Sequence, residues 1–278
     1  MDIGKAYRFM NEICCYAGNS IIMNGFRSDT TSVHYKSRTD LVTSIDNEAE
    51  AYILKRIRES FPDSDIIAEE SGVNSTGSGF VWIIDPLDGT NNFAHGLPHF
   101  CVSIGLYSRE RREVIAGCVY NPVLSELFSA MKGEGAYLNR RKIAVSDTRE
   151  LGVSIVATGF AYDKENSDVN NLRQFNGVLP RTQGVRRFGS AALDLAYTAC
   201  GRLDGYWEAM IHSWDVSAGA LLVCEAGGKV TDYSGYPVDI FRNEIIATNG
   251  HIHEKLQCVV RDNTGCFPNT LTDKTEEE

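Results

Sequence analysis

The sequence lacks an excess of basic residues, and this limits the kinds of molecule that the protein can bind. Its 27 lysines and arginines are outnumbered by 37 aspartates and glutamates, so the formal net charge is −10 at pH 7. An acidic chain is a poor candidate for binding nucleic acid, because such proteins use a basic face to contact phosphates. If the substrate is an anion, bound cations can reverse the local sign of the field.

Long apolar runs and closely spaced cysteines are also missing. No apolar run approaches the roughly 20 residues that a membrane-spanning helix needs. The first residues turn amphipathic at once and lack the basic stretch and apolar block of a secretory signal peptide. Eight cysteines are scattered without a Cys-x-x-Cys pair, which indicates reduced thiols rather than a disulfide framework or a zinc site. We therefore expect a cytoplasmic protein that makes no membrane contact.

Hydrophobic periodicity places helices and strands along the 278 residues, 43% of which are hydrophobic. The pattern predicts helices near 4–25, 45–60, 168–178, 190–200, 214–226 and 250–260. It predicts strands near 65–68, 80–84, 100–107, 114–120, 126–131, 153–158, 184–187, 204–208 and 245–248. Residues 28–39 and 71–79 are predicted to be loops, and 263–278 a disordered tail. Meander-like strands in the middle of the chain predict a layered α+β fold.

The strongest motif runs from Trp82 to Phe93. A buried strand ends in Asp85, a proline stiffens the turn, and Asp88 follows three residues later. Two carboxylates on one rigid corner suit hard divalent cations, and amides at the start of the next turn would point at an anion such as phosphate. An Asp-Gly hairpin turn is the alternative, although the residues after Gly89 do not alternate as a hairpin strand would.

Other acidic positions lie at the ends of apolar elements. Glu69 and Glu70 follow a short apolar strand, where solvated surface is the commoner role. Asp215 precedes an apolar helix, which it could cap. Each feature alone favours a structural role, but their occurrence together with the Asp85–Asp88 corner favours a metal site.

These segments closely resemble the signatures of the inositol monophosphatase family, within the superfamily that includes fructose-1,6-bisphosphatases. The resemblance covers roughly residues 5–260 and is carried by 40–43, 65–70, 82–93, 187–194, 201–208 and 214–228. It implies a layered αβαβα sandwich over residues 1–262, with two intimate halves at roughly 1–145 and 146–262. It also implies a homodimer.

The resemblance further implies a Mg²⁺-dependent phosphomonoesterase with two or three ions per site. The implied metal ligands are Glu69, Asp85, the Leu87 carbonyl, Asp88 and Asp215. The implied catalytic residues are Glu69, Asp88 and Thr90, where Glu69 and the Thr90 hydroxyl orient a water for in-line attack on phosphorus. Glu70 is placed in the outer shell of the site. Lys36 would steer the anion or a loop closure, with a merely solvated lysine as the alternative.

Substrate contacts follow from the same resemblance. They fall on Leu87, Asp88, Gly89, Thr90, Gly189, Ser190, Ala191, Glu208 and Asp215. Glu208 favours inositol-type recognition, because a carboxylate accepts hydrogen bonds from hydroxyls and repels a second phosphate. Asn91, where the inositol group usually has threonine, and His212 bear on fine specificity rather than on the chemistry.

Structural roles are the alternatives for several of these residues. Without the family, Ser190 is equally a helix cap, and Glu208 at a strand end is exposed surface. His95 and His99 near the motif are interpreted as structural histidines. His251 and His253, at the start of the terminal helix, are predicted to lie on the surface.

The sequence therefore predicts a lithium-sensitive phosphatase that hydrolyses inositol 1-phosphate. The alternatives within the same chemistry are fructose-1,6-bisphosphate, histidinol phosphate or another small sugar phosphate. A non-enzymatic alternative is an interaction with the RNA-synthesis machinery, which some bacterial relatives make through a surface.

Overall fold

Two β-sheets separate three helical layers in the computed structural model. It describes residues 1–28, 33–35, 41–160 and 170–262, with the backbone alone at 33–35, 41–42 and 262. Lys36 and the predicted tail at 263–278 lie outside the described residues. Within the described ranges, no helix is both long and apolar enough to cross a bilayer.

The helices follow the predicted positions closely. The first, α1 (Ile3–Tyr16), continues through a π-helical stretch (Ala17–Ile22) into the short α2 (Met23–Gly25). The others are α3 (Ser44–Ser60), α4 (Thr90–Ala94), α5 (Leu172–Val178), α6 (Ala191–Ala199), α7 (Ser213–Glu225) and α8 (His253–Asp262). Short 3₁₀ turns occupy Leu151–Val153 and Leu179–Arg181.

The larger sheet has eight strands in the order β10-β9-β8-β7-β6-β5-β3-β4. Its strands are β3 (Asp65–Ala68), β4 (Gly72–Asn74), β5 (Phe80–Asp88), β6 (Cys101–Ser108), β7 (Glu113–Asn121), β8 (Glu126–Met131), β9 (Gly135–Leu138) and β10 (Arg141–Lys142). Only β3 and β5 pair in parallel; the other neighbours are antiparallel.

The smaller sheet has five strands in the order β12-β11-β13-β15-β14. Its strands are β11 (Ile155–Thr158), β12 (Gly184–Arg186), β13 (Gly205–Ala209), β14 (Lys229–Thr231) and β15 (Glu244–Thr248). Strand β11 runs parallel to β12 and β13, whereas β15 runs antiparallel to both of its neighbours. A separate two-stranded ribbon pairs β1 (Val33–Tyr35) with β2 (Leu41–Thr43).

Three apolar clusters define the layers. Helices α1 and α3 pack on the outer face of the larger sheet, around Met10, Ile53 and Trp82. Helices α6 and α7 fill the space between the two sheets. On the far face of the smaller sheet, Trp207 and Leu256 lie in the cluster that α8 closes. The order helix, sheet, helix, sheet, helix confirms the predicted αβαβα sandwich.

Glycines in the larger sheet let α7 approach closely. A Cβ atom on Gly105 would lie 2.5 Å from Ser217 Oγ, and one on Gly117 would lie 2.9 Å from Ala218 Cα. Real Cβ atoms do not pack at such distances, so any larger residue there would push the helix away. Gly105 and Gly117 therefore fix the position of α7, the helix that carries Asp215.

The short edge strands are the main errors of the sequence prediction. The predicted loop at 28–39 contains β1, and the predicted loop at 71–79 contains β4. Strands β2, β9, β10 and β14 were not predicted. The side chains of β4 and β10 are largely exposed, so these strands pair through their backbones and leave no alternating apolar pattern in the sequence.

One further prediction is wrong in detail. His253 is fully buried, where its ring nitrogens bond Thr231 Oγ1 at 2.9 Å and Thr248 Oγ1 at 3.0 Å, although His251 is exposed as predicted. Six cysteines in the described ranges are free thiols, in line with the predicted reduced state.

Candidate active site

A β-bulge at the end of β5 brings Asp85 and Asp88 to the same side. In a regular strand, residues three positions apart point to opposite faces. Here Asp85 lies opposite Ser103 and Asp88 opposite Cys101, so three steps on β5 match two on β6. The extra residue re-aims the second carboxylate. Both aspartates are buried, with exposed fractions of 1% and 8%.

Asp215 completes a cluster of three aspartates. One carboxylate oxygen from each of Asp85, Asp88 and Asp215 lies within 4.8 Å of the others. Asp215 is the third residue of α7, and its Oδ2 accepts a hydrogen bond from the His212 amide at 2.8 Å. It is therefore not the N-cap that the sequence alone suggested. Asp85 and Asp215, which are 130 positions apart in the sequence, thus meet in space.

Glu69 lies beside this cluster because β3 and β5 run in parallel. Ala68 pairs with Ile84, and the Glu69 amide then donates to the Ile84 carbonyl at 3.2 Å. Burial raises the pKa of Asp85 and Asp215 well above the ordinary value, and the nearby charge of Glu69 raises both further. Carboxylates crowded in this way are stable as anions only with a compensating cation.

The donor chemistry of the cluster fits a hard divalent cation. Its ligand atoms are carboxylate oxygens, and the Leu87 carbonyl, which accepts from Thr90 Oγ1 at 2.9 Å, lies between the two aspartates in sequence. A carbonyl oxygen has a second lone pair for a further partner. Oxygen-only donor sets suit Mg²⁺, Mn²⁺ or Ca²⁺ rather than softer metals.

The second oxygen of Asp88 is held by the start of α6. Its Oδ2 accepts from Ser190 Oγ at 2.6 Å and from the Ala192 amide at 2.8 Å, with Cys101 Sγ at 3.8 Å. Ser190 occupies the N-cap position, but its hydroxyl does not cap α6. The alternative role of Ser190 as a side-chain cap is therefore not observed, because Asp88 takes both the hydroxyl and an amide of the first turn.

Thr90 contacts an aspartate that the sequence analysis did not single out. Its Oγ1 lies 3.0 Å from Asp46 Oδ1. The other oxygen of Asp46 accepts the amide and hydroxyl of Thr43 at the start of α3. The pattern Thr43-x-x-Asp46 is the only sequence signal, and it reads as an ordinary capping box. Burial raises the pKa of Asp46 to about 6, although hydrogen bonds from Thr43 and Thr90 oppose that shift.

Gly89 makes the turn between the acidic corner and α4 possible. It has a φ of 94°, in the left-handed region, and a Cβ atom there would lie 2.9 Å from the His99 carbonyl. Glycine alone tolerates both conditions. Asn92 in α4 then donates to the carbonyls of His99 and Phe188, each at 2.8 Å. This side chain, which the sequence analysis also passed over, ties the motif to the segment that leads into Gly189.

Glu208 faces the aspartates across a cleft. The cleft is lined by Asp88, Gly189, Ser190, Ala191, Glu208 and Asp215, among others. Glu208 is half-buried and accepts a hydrogen bond from the Tyr206 hydroxyl. Burial raises its pKa to about 7, against the effects of Tyr206 and the nearby Arg187. Glu208 is therefore not exposed surface, which was the alternative to a substrate contact.

The remaining predicted residues lie around the edge of the site. The Glu70 amide donates to Glu50 Oε2 at 2.9 Å, which places Glu70 beside α3. Leu87 contributes only its backbone, because its side chain is fully buried in the core under α3. Asp194, not predicted, also lines the cleft; it is buried, and its Oδ1 has no hydrogen-bond partner.

This arrangement matches a known family over nearly all of the chain. The model of the inositol monophosphatase family matches residues 5–264. The chain belongs to the inositol monophosphatase family. Members of this family are phosphoric monoester hydrolases that use a divalent metal, and the acidic cluster described above fits such an ion.

Individual members of the inositol monophosphatase family are similar over most of their length. The inositol-1-monophosphatase of Synechocystis is 52% identical over 78% of this chain and 75% of that protein. The Nus factor SuhB of Escherichia coli is 41% identical over 88% of this chain and 92% of its own. The solved structure of inositol monophosphatase from Anabaena has a TM-score of 0.84 at 43% identity, covering 94% of this chain and 96% of that one.

Proposed function

We propose that this chain hydrolyses inositol 1-phosphate to inositol and inorganic phosphate in a Mg²⁺-dependent reaction. The observation that carries the proposal is the cluster of the buried Asp85 and Asp88 with the half-buried Asp215, at a cleft that Glu208 also lines. An acidic corner without a cation would repel a phosphate monoester. With divalent ions bound, the sign of the field is reversed and the same corner attracts it.

Two or three Mg²⁺ ions would be held by Glu69, Asp85, the Leu87 carbonyl, Asp88 and Asp215. When bound, the ions supply charge neutralisation on the phosphate and the leaving oxygen and acidify a coordinated water. Ser190 and the Ala192 amide already donate to Oδ2 of Asp88. Its Oδ1 is therefore the oxygen that would bind an ion. The protein therefore offers a preorganised set of ligands.

The attacking water would be oriented by Thr90 with Asp46 behind it. The Thr90 hydroxyl has a single proton, which it can give to Asp46 Oδ1 at 3.0 Å. Its lone pairs are then free to accept a hydrogen bond from the water. Glu69, whose charge lies near Asp85 and Asp215, would accept the second hydrogen. Together these groups would hold the water for in-line attack and draw off its proton.

Phosphate and polyol would be held by different walls of the cleft. The amides at Gly89 and Thr90, at the start of α4, are suited to phosphate oxygens. Glu208 would accept hydrogen bonds from ring hydroxyls, and Asp88 and Asp215 would accept others through lone pairs that the ions leave available. The Ser190 hydroxyl is engaged with Asp88, so its segment would contact the ring through the backbone of Gly189 and Ala191.

A substrate panel tests the proposal. Phosphate release is measured with inositol 1-phosphate, fructose 1,6-bisphosphate, histidinol phosphate and adenosine 3′,5′-bisphosphate, each with Mg²⁺ and with EDTA. The proposal requires the highest kcat/KM for inositol 1-phosphate and no turnover in EDTA. A higher kcat/KM for one of the other phosphates would replace the substrate while retaining the chemistry. The same assay with a LiCl titration tests the lithium inhibition that we expect.

We also propose that the chain forms a homodimer. Two exposed apolar side chains support this: Leu97, 54% exposed, and Phe188, 36% exposed. Both residues are hydrogen-bonded to Asn92. The Leu97 amide donates to the Asn92 carbonyl, and the Asn92 side chain donates to the Phe188 carbonyl. Light scattering coupled to size-exclusion chromatography should give twice the mass of 30.7 kDa, and a Leu97→Lys variant should shift it towards the monomer.

An interaction with the RNA-synthesis machinery is the second candidate, supported by the relatives called Nus factor SuhB. It would add to catalysis, because the acidic cluster is intact. Affinity capture from lysate with an Asp88→Asn protein separates the two roles. Recovery of transcription proteins with the inactive variant would support the second role, and their absence would reject it.

A further inference from the structure

A second cavity, of about 410 Å³, lies at the far end of α7 from the acidic cluster. The first turn of α7 carries Asp215, and its last turns contribute Leu221 and Cys224 to the cavity wall. At 1.5 Å per residue, Asp215 and Cys224 are roughly 14 Å apart along the helix. The cavity is therefore separate from the cleft proposed to bind the substrate.

The floor of this cavity is apolar. Four buried side chains supply it, from β7, α7, β14 and the loop before β15: Val114, Leu221, Val230 and Ile240. Its volume falls within the range of about 300–1,000 Å³ that small-molecule sites occupy, and such sites combine apolar walls with a few polar groups. An apolar or aromatic group of a ligand would be desolvated on this floor.

The rim of the cavity carries unbalanced positive charge. Its two acids already have basic partners: Glu113 pairs with Lys132 at 3.1 Å, and Asp239 with Arg242 at 4.0 Å. Arg111 and Arg112 have no carboxylate within ion-pair distance in the described part of the chain. Two guanidinium groups without an acidic partner thus line one cavity in a chain of net charge −10.

The turn that presents these arginines is held in an unfavourable conformation. It connects β6 to β7, and Arg112 has a φ of 55°, in the left-handed region that favours glycine. The third arginine of the turn, Arg109, anchors it by donating to Asp65 at 2.7 Å and to the Ser78 carbonyl at 3.1 Å. Such backbone conformations persist where the surroundings impose them and occur often at binding sites.

We propose that this cavity binds a small organic anion. The apolar or aromatic body of the ligand lies on the floor formed by Val114, Leu221, Val230 and Ile240. Its carboxylate, phosphonate or phosphate group is bound by Arg111 and Arg112, because a guanidinium group pairs with such oxygens through two parallel hydrogen bonds. The site needs neither the acidic cluster nor the substrate, so it stands apart from the proposed function.

A fluorescence titration with 8-anilinonaphthalene-1-sulfonate tests this site, since the probe combines an aromatic body with an anionic group. We expect the Arg111→Ala/Arg112→Ala protein to bind the probe at least tenfold more weakly than the parent chain. The matched control is Arg140→Ala/Arg141→Ala, which also removes adjacent exposed arginines from a tight turn, where Arg140 has a φ of 67°. Equal affinity in the two double variants, or a loss in the control alone, overturns the proposal.

Alkylation of Cys224 gives an independent readout. Cys224 is an exposed free thiol in the cavity wall, so the bound probe should slow its reaction with iodoacetamide, followed by peptide mass spectrometry. Phenylphosphonate should displace the probe, seen as a loss of probe fluorescence, and should itself slow alkylation of Cys224, whereas equimolar inorganic phosphate should do neither, because it lacks the apolar body. Unprotected Cys224 at saturating probe, or displacement by phosphate alone, contradicts the proposal. Neither result bears on hydrolysis of inositol 1-phosphate.

Discussion

The Thr90 hydroxyl of α4 lies 3.0 Å from Oδ1 of Asp46 in α3, although 44 positions separate them. The same hydroxyl is 2.9 Å from the Leu87 carbonyl, which is a proposed metal ligand. One hydroxyl proton can serve only one of these acceptors at a time. Thr90 therefore links the acidic corner to a buried carboxylate, Asp46, that is not one of the proposed metal ligands.

This link predicts that Asp46→Asn lowers kcat about 10²-fold or more, the lower end of what a positioned acid or base contributes. Asp46 Oδ2 accepts two hydrogen bonds from Thr43, so an amide must keep its oxygen there and turn its NH₂ group towards Thr90. Thr90 then loses its acceptor. Steady-state assays with inositol 1-phosphate give kcat and KM. Glu48→Gln, at an exposed position of the same helix, is the control. An unchanged kcat in Asp46→Asn would rule out this role.

Glu208→Gln should raise KM for inositol 1-phosphate about tenfold or more, with a smaller change in kcat. Hydrogen bonds to a charged group contribute about 1.5–3 kcal/mol, and Glu208 lies on the polyol side of the cleft. The control is Glu254→Gln, at an exposed position in α8. If KM stays constant and kcat falls instead, Glu208 acts in the chemistry and not in recognition.

Gly117→Ala should destabilise the fold by about 1–3 kcal/mol, because overpacking a full core carries such a cost. The new methyl group would lie 2.9 Å from Ala218 Cα in α7. Thermal unfolding followed by circular dichroism measures the loss. Gly152→Ala is the control, since nothing lies within 4 Å of a Cβ atom there. Equal melting temperatures for the two variants would show that the close contact between Gly117 and Ala218 does not limit the position of α7.

Acid should destabilise the protein partly through His253. Burial, with the nearby charge of Lys229, lowers the pKa of His253 to about 4, against about 6.5 in an unfolded chain. The folded state therefore disfavours the protonated ring. The contribution of His253 is fully present above about pH 6.5 and falls by up to about 1.4 kcal/mol per pH unit between pH 6.5 and 4.

Urea unfolding across that pH range measures this slope. His253→Gln should flatten it, whatever stability the substitution costs at pH 7. His251→Gln, at an exposed position two residues earlier, should leave the slope unchanged. A parent slope that persists in the His253→Gln protein would assign the acid sensitivity to other groups.

The sequence predicts the longer elements that bury side chains on both faces, and it fails mainly at short strands, most clearly where the side chains are exposed. The apolar runs of β5, β6 and β7 give unambiguous strands, and the periodic helices are placed within a few residues. Strands β4 and β10, with largely exposed side chains, have no such pattern. Long-range pairing, which the sequence does not display, decides whether they form.

The candidate site shows the same division. Asp85, Asp88 and Asp215 were predicted together, and the structure brings them within 4.8 Å. The bulge that aligns the first two and the contact of Asp46 with Thr90 depend on how α3, β5 and β6 pack. Asp46 resembles an ordinary helix-capping residue in the sequence, so only the tertiary structure reveals its second partner.

Metal dependence tests the central claim most directly. The protein is stripped with EDTA and dialysed, and phosphate release from inositol 1-phosphate is measured as Mg²⁺ is returned, for the parent chain, Asp88→Asn and the exposed-site control Asp63→Asn. We predict no turnover without metal, full recovery with Mg²⁺ in the parent and control, and a kcat at least about 10²-fold lower in Asp88→Asn, since the ions supply several kcal/mol of charge stabilisation. Turnover that survives complete removal of metal, or a normal kcat in Asp88→Asn, would contradict the account.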